Sequence, residues 1–452
     1  MRILHYSLGF PPFRRGGLTK YCIDLMTEQK KMGNSVAMLW PGEMGIIRQK
    51  KTKIVHHKPY INKKIEIDSF ELCGCLPVPL LEGISSPNEY IKDLDIEVFK
   101  KFINCYLPDV VHFHTLMGFP KNYLKYLNER KIKTVFTSHD YYGICPRTTL
   151  IKGKSNCLDY NCENCGNCNK NAITVKKIRI LQSKVYRIFK DSSVIKRFRK
   201  MHWAKNEQLV ENYTESATCS INIQTDYRNL RKYYITMLEM FDVVHFNSSN
   251  TQAIYDNFSY SIKGKVLNIS HADIKDNRLR RARHDVCCIT YLGPNTYHKG
   301  YYLLLNVCDE LWKAGYRFKI NIYFRPTEEK EYLSWHEPYV YGELESIMKD
   351  TDFLVVPSLW NETYGFTVLE AMAFGIPAIV SKTVGAKDEI IHGSNGIIVD
   401  ATKEDLYNAI KRVIEDEEIF DLFNLNICKY YNPRLLSTHC KEMLDLYRGS
   451  YG

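Results

Sequence analysis

Pro357-Ser358-Leu359-Trp360-Asn361-Glu362-Thr363-Tyr364-Gly365-Phe366-Thr367-Val368-Leu369-Glu370-Ala371 is the stretch on which the fold turns. The apolar run Phe353 to Val356 leads into it and predicts a strand ending at the proline. A loop with one glycine follows, and Phe366 or Thr367 opens a helix. Free backbone N–H groups and the positive end of a helix dipole then sit beside a strand end, ready for phosphate or a sugar hydroxyl. Glu362 precedes the helix and Glu370 lies one turn inside it. Two such carboxylates can accept hydrogen bonds from sugar and ribose hydroxyls. Taken as two lone glutamates, the plainer reading is stronger: a solvated loop and a helix-face side chain.

The surroundings change that balance. From Cys288-Ile289-Thr290-Tyr291-Leu292-Gly293 onward, apolar runs at Phe318 to Tyr323, Phe353 to Val356 and Ala378 to Val380 are each paired with a helical pattern. The first 140 residues show the same rhythm. Ile3 to Ser7 is a short strand, Gly16-Gly17 forms a glycine loop, and an amphipathic helix runs from about Leu18 to Gly33-Asn34. Ser35 to Leu39, Asp109 to His114 and Thr134 to Asp140 are further strands. Alternation of this kind predicts two doubly wound α/β halves. Ligands bind at strand carboxyl ends in such sheets, which singles out His114, His139 and Asp140. The expected division is 1–270 for the first domain, with an insertion over about 145–240, and 284–425 for the second. A C-terminal helix, 426–452, is expected to return to the first domain.

Bulk composition agrees with a globular chain. There are 452 residues, 45% hydrophobic and 25% charged. At roughly 150 residues per domain, this allows two large domains. No apolar run approaches the roughly 18 residues of a membrane span. The N-terminus is too polar for a secretory signal, so a reducing cytosol is the expected compartment. The 15 cysteines are then core residues or metal ligands rather than disulfides.

The motifs as a set resemble the retaining GT-B-fold glycosyltransferases of the large "glycosyl transferases group 1" family, the bacterial surface-polysaccharide type. That family carries Glu, seven residues, Glu, in the frame proline-serine, aromatic-glycine-phenylalanine, then Glu-Ala. Here these are Glu362 and Glu370, followed by Ala371. The Gly16-Gly17 loop, Asp109 to His114, Ser138-His139-Asp140, Gly293 through Lys299-Gly300, Tyr341-Gly342-Glu343, and Gly385 to Glu389 fall in family order. The resemblance covers roughly 1–145 and 240–400. It implies two Rossmann-like domains facing a central cleft. It also implies transfer of a hexose from a UDP- or GDP-sugar to a glycan acceptor, with retention and with no metal needed for donor binding. Glu370 would hold the ribose and Glu362 would lie near the donor sugar. Lys299 would neutralise the diphosphate, helped by the amides of Gly365, Phe366 and Thr367. His139 would touch the sugar near the reacting carbon, and Gly16 and Gly17 would approach phosphate or acceptor. His114 and Asp140 would line the cleft. The chain departs from the pattern where Gly293 is followed by Pro294-Asn295 instead of an arginine, with Arg325 a weak substitute. It departs again where Ser270-His271-Ala272-Asp273 replaces the usual Asn-Gly. Two other readings stay open: a binding protein of this fold without catalysis, and a phosphorylase or sugar-phosphate synthase.

The insertion breaks the rhythm. Cys157, Cys162, Cys165 and Cys168 are spaced by four, two and two residues and could wrap a structural zinc; reduced loop thiols are the alternative. Between Lys176 and Lys205 there are eleven Lys or Arg against one acid, Asp191. Ile178, Leu181, Val185, Ile188, Ile195 and Phe198 recur at helical spacing. This window predicts a basic amphipathic helix on an anionic membrane surface, consistent with a lipid-linked or oligosaccharide acceptor and a peripheral place on the inner face of the cell membrane. The alternatives are a helix packed on its own domain and, with no recognition motif to support it, nucleic-acid binding.

Overall fold

A computed structural model describes residues 1–47, 50–80, 82–157, 159–193, 195–197 and 219–449. It divides into two units: Met1–Phe246 with Gln252–Val266 and the segment from Cys440, and Asn247–Thr251 with Leu267–His439.

The first unit is built on an eight-stranded sheet. Its strands are β1 (Arg2–Tyr6), β2 (Ser35–Pro41), β3 (Lys53–Asn62), β4 (Ile65–Cys73), β5 (Val110–Phe113), β6 (Lys133–Ser138), β9 (Val243–Phe246) and β10 (Gly264–Val266). Their order is β10-β9-β6-β5-β1-β2-β4-β3. All neighbours run parallel except β3 and β4. β5 and β6 are buried along nearly their whole length, as an apolar strand covered on both faces must be. The two-residue turn between β3 and β4 uses Lys63 and Lys64, both at positive φ (48° and 68°), a left-handed pair whose twist matches a hairpin. A helix, Gly17–Lys31, starts after Gly16, whose φ of 111° only glycine adopts readily.

The insertion carries a two-stranded ribbon, β7 (Ile151–Lys152) and β8 (Ser155–Asn156), and short helices. The single basic helix expected over 176–205 is not what forms. Val175–Leu181 and Lys184–Phe189 are separate helices. They break at Gln182 and Ser183, which are buried, and Ser183 caps the second through the Tyr186 N–H at 3.1 Å. Ile178 is buried, whereas Val185, Ile188 and Phe189 are exposed, so no continuous apolar stripe faces one way. Val194 and 198–205 lie outside the described residues.

The second unit has six parallel strands: β11 (Cys288–Tyr291), β12 (Lys319–Ile322), β13 (Leu333–Trp335), β14 (Phe353–Val356), β15 (Ala378–Ser381) and β16 (Gly396–Val399), in the order β13-β12-β11-β14-β15-β16. Ile289, Ile320, Phe353 and Ile379 bring its core together with Phe420 and Phe423 from the helix Glu418–Tyr430. The division therefore falls at Val266/Leu267, before the expected join, because 267–283 lies with the second unit. The return to the first unit starts at Cys440, not 426, because Glu418–Tyr430 buries its apolar face in the second core. Among the described residues no helix is long and apolar enough to cross a membrane.

Candidate functional site

The loop after β14 and the loop after β11 are locked together. Leu359 N–H donates to the His298 carbonyl at 2.9 Å, and Ser358 Oγ reaches the same oxygen at 3.2 Å. Gly300, at φ 78°, packs so closely that a Cβ there would lie 1.9 Å from the Pro357 carbonyl oxygen. Lys299, beside it, is thereby presented toward Glu362, and the Lys299 ammonium sits 2.9 Å from Glu362 Oε2. It also lies 5.0 Å over the Trp360 ring. Glu362 is fixed from its own backbone: its N–H donates to the Thr383 carbonyl and its carbonyl accepts from Gly385. Its second oxygen, Oε1, is buried with no partner among the described residues. A buried carboxylate oxygen left unbonded is costly, and such an atom marks a place for a ligand donor.

A cavity of about 210 Å³ is lined by Lys299, Glu362, Gly365, Phe366, Thr367 and Glu370, with Gly293 and Pro294 at its side. Lys299 is the one cation among its described lining residues. Gly365, at φ 112°, is the N-cap of the helix Phe366–Ala373 and supplies no side-chain cap. The first residues of that helix therefore line the cavity with no side-chain cap on their amides and with the dipole behind them. Arg325 does not line this cavity; it lies 5.9 Å over the Trp335 ring, and the flat guanidinium is used there.

Glu370 is buried, and its Oε1 accepts from His271 Nε2 at 3.0 Å. His271 Nδ1 accepts the Asp273 N–H at 3.3 Å, which leaves the proton on Nε2. Phe366 meets the His271 ring edge-on at 4.9 Å. His271 is the residue that sequence reasoning passed over: it stood out only as a departure from a family pattern. The signal that could have found it is a histidine shortly after the last strand of the first sheet, Gly264–Val266, in a chain whose Glu370 needs a buried donor.

In the first unit, His139 follows β6. Its Nε2 meets His114 Nδ1 at 3.1 Å, and Tyr21 packs edge-on against its ring at 4.8 Å. Burial pushes its pKa down to about 3, aided by His245. His114 is fully buried, with its other nitrogen 2.9 Å from His5 Nδ1. It is therefore buried rather than open to a ligand, and both ring nitrogens are occupied, by His139 and His5. Asp140 Oδ1 accepts the Tyr142 N–H at 2.8 Å, yet burial still raises its carboxyl to about 6. Gly16 and Gly17 are exposed at the start of their helix, which has no side-chain cap.

The expected zinc ligands do not converge. Among the described residues, no three of Cys157, Cys162, Cys165 and Cys168 bring their sulfurs within 4.8 Å of one another. The thiols of Cys162 and Cys165 hydrogen-bond each other instead. What holds this segment is Arg231, buried on the long helix Ile221–Glu239. Its guanidinium donates to the carbonyls of Ile144, Asp159 and Tyr160 at 2.8–2.9 Å and touches Cys165 Sγ at 3.6 Å. The cavity beside Cys145 and Arg231 holds about 10 Å³, room for a water at most.

Residues 279–424 match the model of the family "Glycosyl transferases group 1". A 41.2 kDa protein in the cps region of Klebsiella pneumoniae is 29% identical over 118 residues, 25% of this chain and 32% of that protein. The chain thus spans about a third of that relative's length. Over the whole chain, sucrose-phosphate synthase from Thermosynechococcus elongatus has the same fold, with TM-score 0.57, 14% identity, and 99% and 98% of the two chains covered. Anabaena HepE in complex with UDP superposes with TM-score 0.54 at 13% identity, covering 99% and 100%.

Proposed function

From the premise that residues 279–424 belong to the group 1 glycosyltransferases and that the chain has the GT-B fold, we propose that this protein transfers a hexose from a UDP- or GDP-sugar to a lipid-linked glycan, with retention, in surface-polysaccharide synthesis. The observation that carries this reading is the single cavity around which Lys299, Glu362 Oε1, the uncapped amides at Phe366 and Thr367, and Glu370 meet. The chemistry divides among them. Glu370, held by His271, accepts the ribose hydroxyls. The helix N-terminus and Lys299 take the diphosphate, and the same charge stabilises it as a leaving group. Glu362 spends Oε2 on Lys299 and keeps Oε1 for a sugar hydroxyl. His139, neutral because burial disfavours its charged form, serves the sugar as a hydrogen-bond partner rather than as an acid. UDP is bound by the structural neighbour HepE, and the Klebsiella relative lies in a cps region; both support this choice of donor and pathway. Transfer from a panel of UDP-, GDP- and ADP-sugars onto lipid extracts tests it. Release of labelled sugar from one of them into a lipid-linked product is expected, and no turnover of any donor would overturn it.

The lipid-linked acceptor rests on a surface of the first unit. Phe13, Ile47, Val185, Ile188 and Phe189 are exposed there, and Lys190 Nζ ties the loop to the helix through the Pro12 and Phe13 carbonyls at 2.8 and 2.9 Å. Lys176, Lys177 and Lys184, on the helices Val175–Leu181 and Lys184–Phe189, are exposed as well. Such a surface enters the headgroup layer of an anionic bilayer, with its cations drawn by the surface potential. In liposome flotation, recovery on anionic vesicles is expected to exceed that on neutral vesicles several-fold and to fall in the pair Ile188→Asp, Phe189→Asp. Equal recovery on both vesicle types would contradict membrane docking.

A further inference from the structure

Beneath His139 lies a line of buried polar side chains contributed by four adjacent strands and two helices of the first unit. His5 is on β1, His112 on β5 with His114 just beyond its end, Thr137 on β6 and His245 on β9. Gln29 comes from the helix Gly17–Lys31 and Tyr447 from the helix Leu436–Arg448. His5, His112, His114 and His245 are 0–1% exposed, so every polar atom among them must be satisfied within the protein.

The contacts form one unbroken series. His139 Nε2 meets His114 Nδ1 at 3.1 Å, and His114 Nε2 meets His5 Nδ1 at 2.9 Å. His5 Nε2 meets Gln29 Oε1 at 2.7 Å, and Gln29 Nε2 donates to the Tyr447 hydroxyl at 3.1 Å. The Tyr447 hydroxyl meets His112 Nδ1 at 2.7 Å, His112 Nε2 meets Thr137 Oγ1 at 2.7 Å, and Thr137 Oγ1 meets His245 Nδ1 at 2.8 Å.

Each neutral imidazole has one donor and one acceptor nitrogen. An imidazole in the middle of such a line transmits the direction of the bond it receives. Gln29 is the one member whose two ends differ chemically, since its carbonyl only accepts and its amide only donates. Its carbonyl obliges His5 to carry the proton on Nε2, so His5 Nδ1 accepts. His114 must then donate from Nε2 and accept at Nδ1, and His139 must donate from Nε2. On the other side, the Gln29 amide makes the Tyr447 oxygen an acceptor, so its hydroxyl proton goes to His112 Nδ1. His112 then donates from Nε2 to Thr137, and Thr137 donates to His245 Nδ1. Seven bonds run head to tail, and all five histidines share one tautomer.

We propose that Gln29, which is fully buried, is a positioning residue that fixes the tautomer of His139 through His5 and His114, so that His139 Nδ1 is always the acceptor nitrogen. This rests on the functional reading above. It also narrows it: His139 can receive a hydrogen bond from a donor-sugar hydroxyl but cannot give one from Nδ1 to a phosphate oxygen. The stacked rings, with centroids 5.2 Å apart for His5 and His114 and 5.4 Å for His114 and His139, leave little freedom to reorient.

Two-bond 1H–15N correlation spectra of the full chain with 15N-labelled histidine, at pH 7.5, test this directly. The expected result is the neutral Nε2–H form for His139, His114 and His5, assigned by single His→Gln variants. A His139 found as the Nδ1–H tautomer or as imidazolium overturns the proposal. Gln29→Met removes both polar ends at similar volume; mixed His139 tautomers and a kcat loss of about tenfold, with KM little changed, are expected. Gln29→Glu keeps an acceptor toward His5 and should restore the Nε2–H form. If Gln29→Met leaves the His139 tautomer unaltered, Gln29 only packs and the proposal fails. Should a variant not fold, the wild-type spectrum still decides. The spectra do not depend on turnover, so the tautomer lock and the proposed sugar transfer can fail separately.

Discussion

Lys299→Ala is expected to lower turnover by about a hundredfold or more, and Glu370→Ala by a similar factor. The reason differs for each. Lys299 is the one cation among the described residues lining the cavity, because the loop that continues Gly293 carries Pro294-Asn295 and no arginine, and Arg325 stacks elsewhere. In the proposed transfer, charge developing on the departing diphosphate then loses this counterion. A hundredfold is about 2.7 kcal/mol of transition-state stabilisation, the size measured for one well-placed donor. Removing Lys299 also strips Glu362 Oε2 of its partner at 2.9 Å, so part of the effect passes through Glu362. Glu370→Ala leaves His271 Nε2 with a buried unmatched proton and takes away the group proposed to accept the ribose hydroxyls. Steady-state kinetics on variants with unchanged melting temperature provide the check. Full activity in both would mean that the cavity is not where the donor reacts.

The second large effect is on stability in mild acid. His5 is held down to about 4 and His139 to about 3, and His114 lies well below its ordinary value, in each case chiefly through burial. In the unfolded chain these imidazoles take up protons near 6.5, whereas in the folded chain they do not until far lower pH. The unfolded state therefore binds more protons below pH 6.5, and stability must fall as pH falls from there toward 4. Asp140 works the other way. Its folded value of about 6 lies above its unfolded value, so the native state gains stability from protonating it over the same range. With three imidazoles against one carboxyl, the net is near two protons, or roughly 3 kcal/mol per pH unit at the steepest. Total stabilities are only about 5–15 kcal/mol, so the first unit should unfold cooperatively between about pH 5 and 4. Denaturant titrations at pH 7, 6 and 5 measure it. A midpoint that does not move between pH 7 and 5 would show that the histidines are not buried uncharged.

Much of this was legible from residue patterns because local and global signals agreed. Phe353 to Val356 reads as strand and is β14, and the helix after Gly365 begins at Phe366 where the glycine allows it. The β3–β4 hairpin was not legible. Its turn is Lys63-Lys64, which carries no glycine or asparagine to announce two left-handed residues. The cysteine spacing suggested a metal because sequence shows intervals, not distances; among the described residues no three of the four sulfurs lie within 4.8 Å of one another, and Arg231, more than 60 residues away, holds the loop. The basic window misled for a related reason. Helical spacing continued through Gln182-Ser183, but tertiary burial of those two residues ended one helix and capped another. His114 and His139 stood out correctly as polar residues at strand ends. That one of them is only a link in a buried line required knowing that His5, Gln29 and Tyr447, far apart in the chain, converge.

Nucleotide-dependent melting tests the donor cavity most directly. A ligand that binds only the folded state stabilises it by about 2.7 kcal/mol at a hundred times its Kd. The expected result is that UDP or GDP, or the matching sugar nucleotide, raises the melting temperature of the wild-type protein by several degrees, and that the rise is lost in Lys299→Ala and Glu370→Ala. No shift with any nucleoside diphosphate at millimolar concentration, or a shift that both variants retain in full, would contradict it.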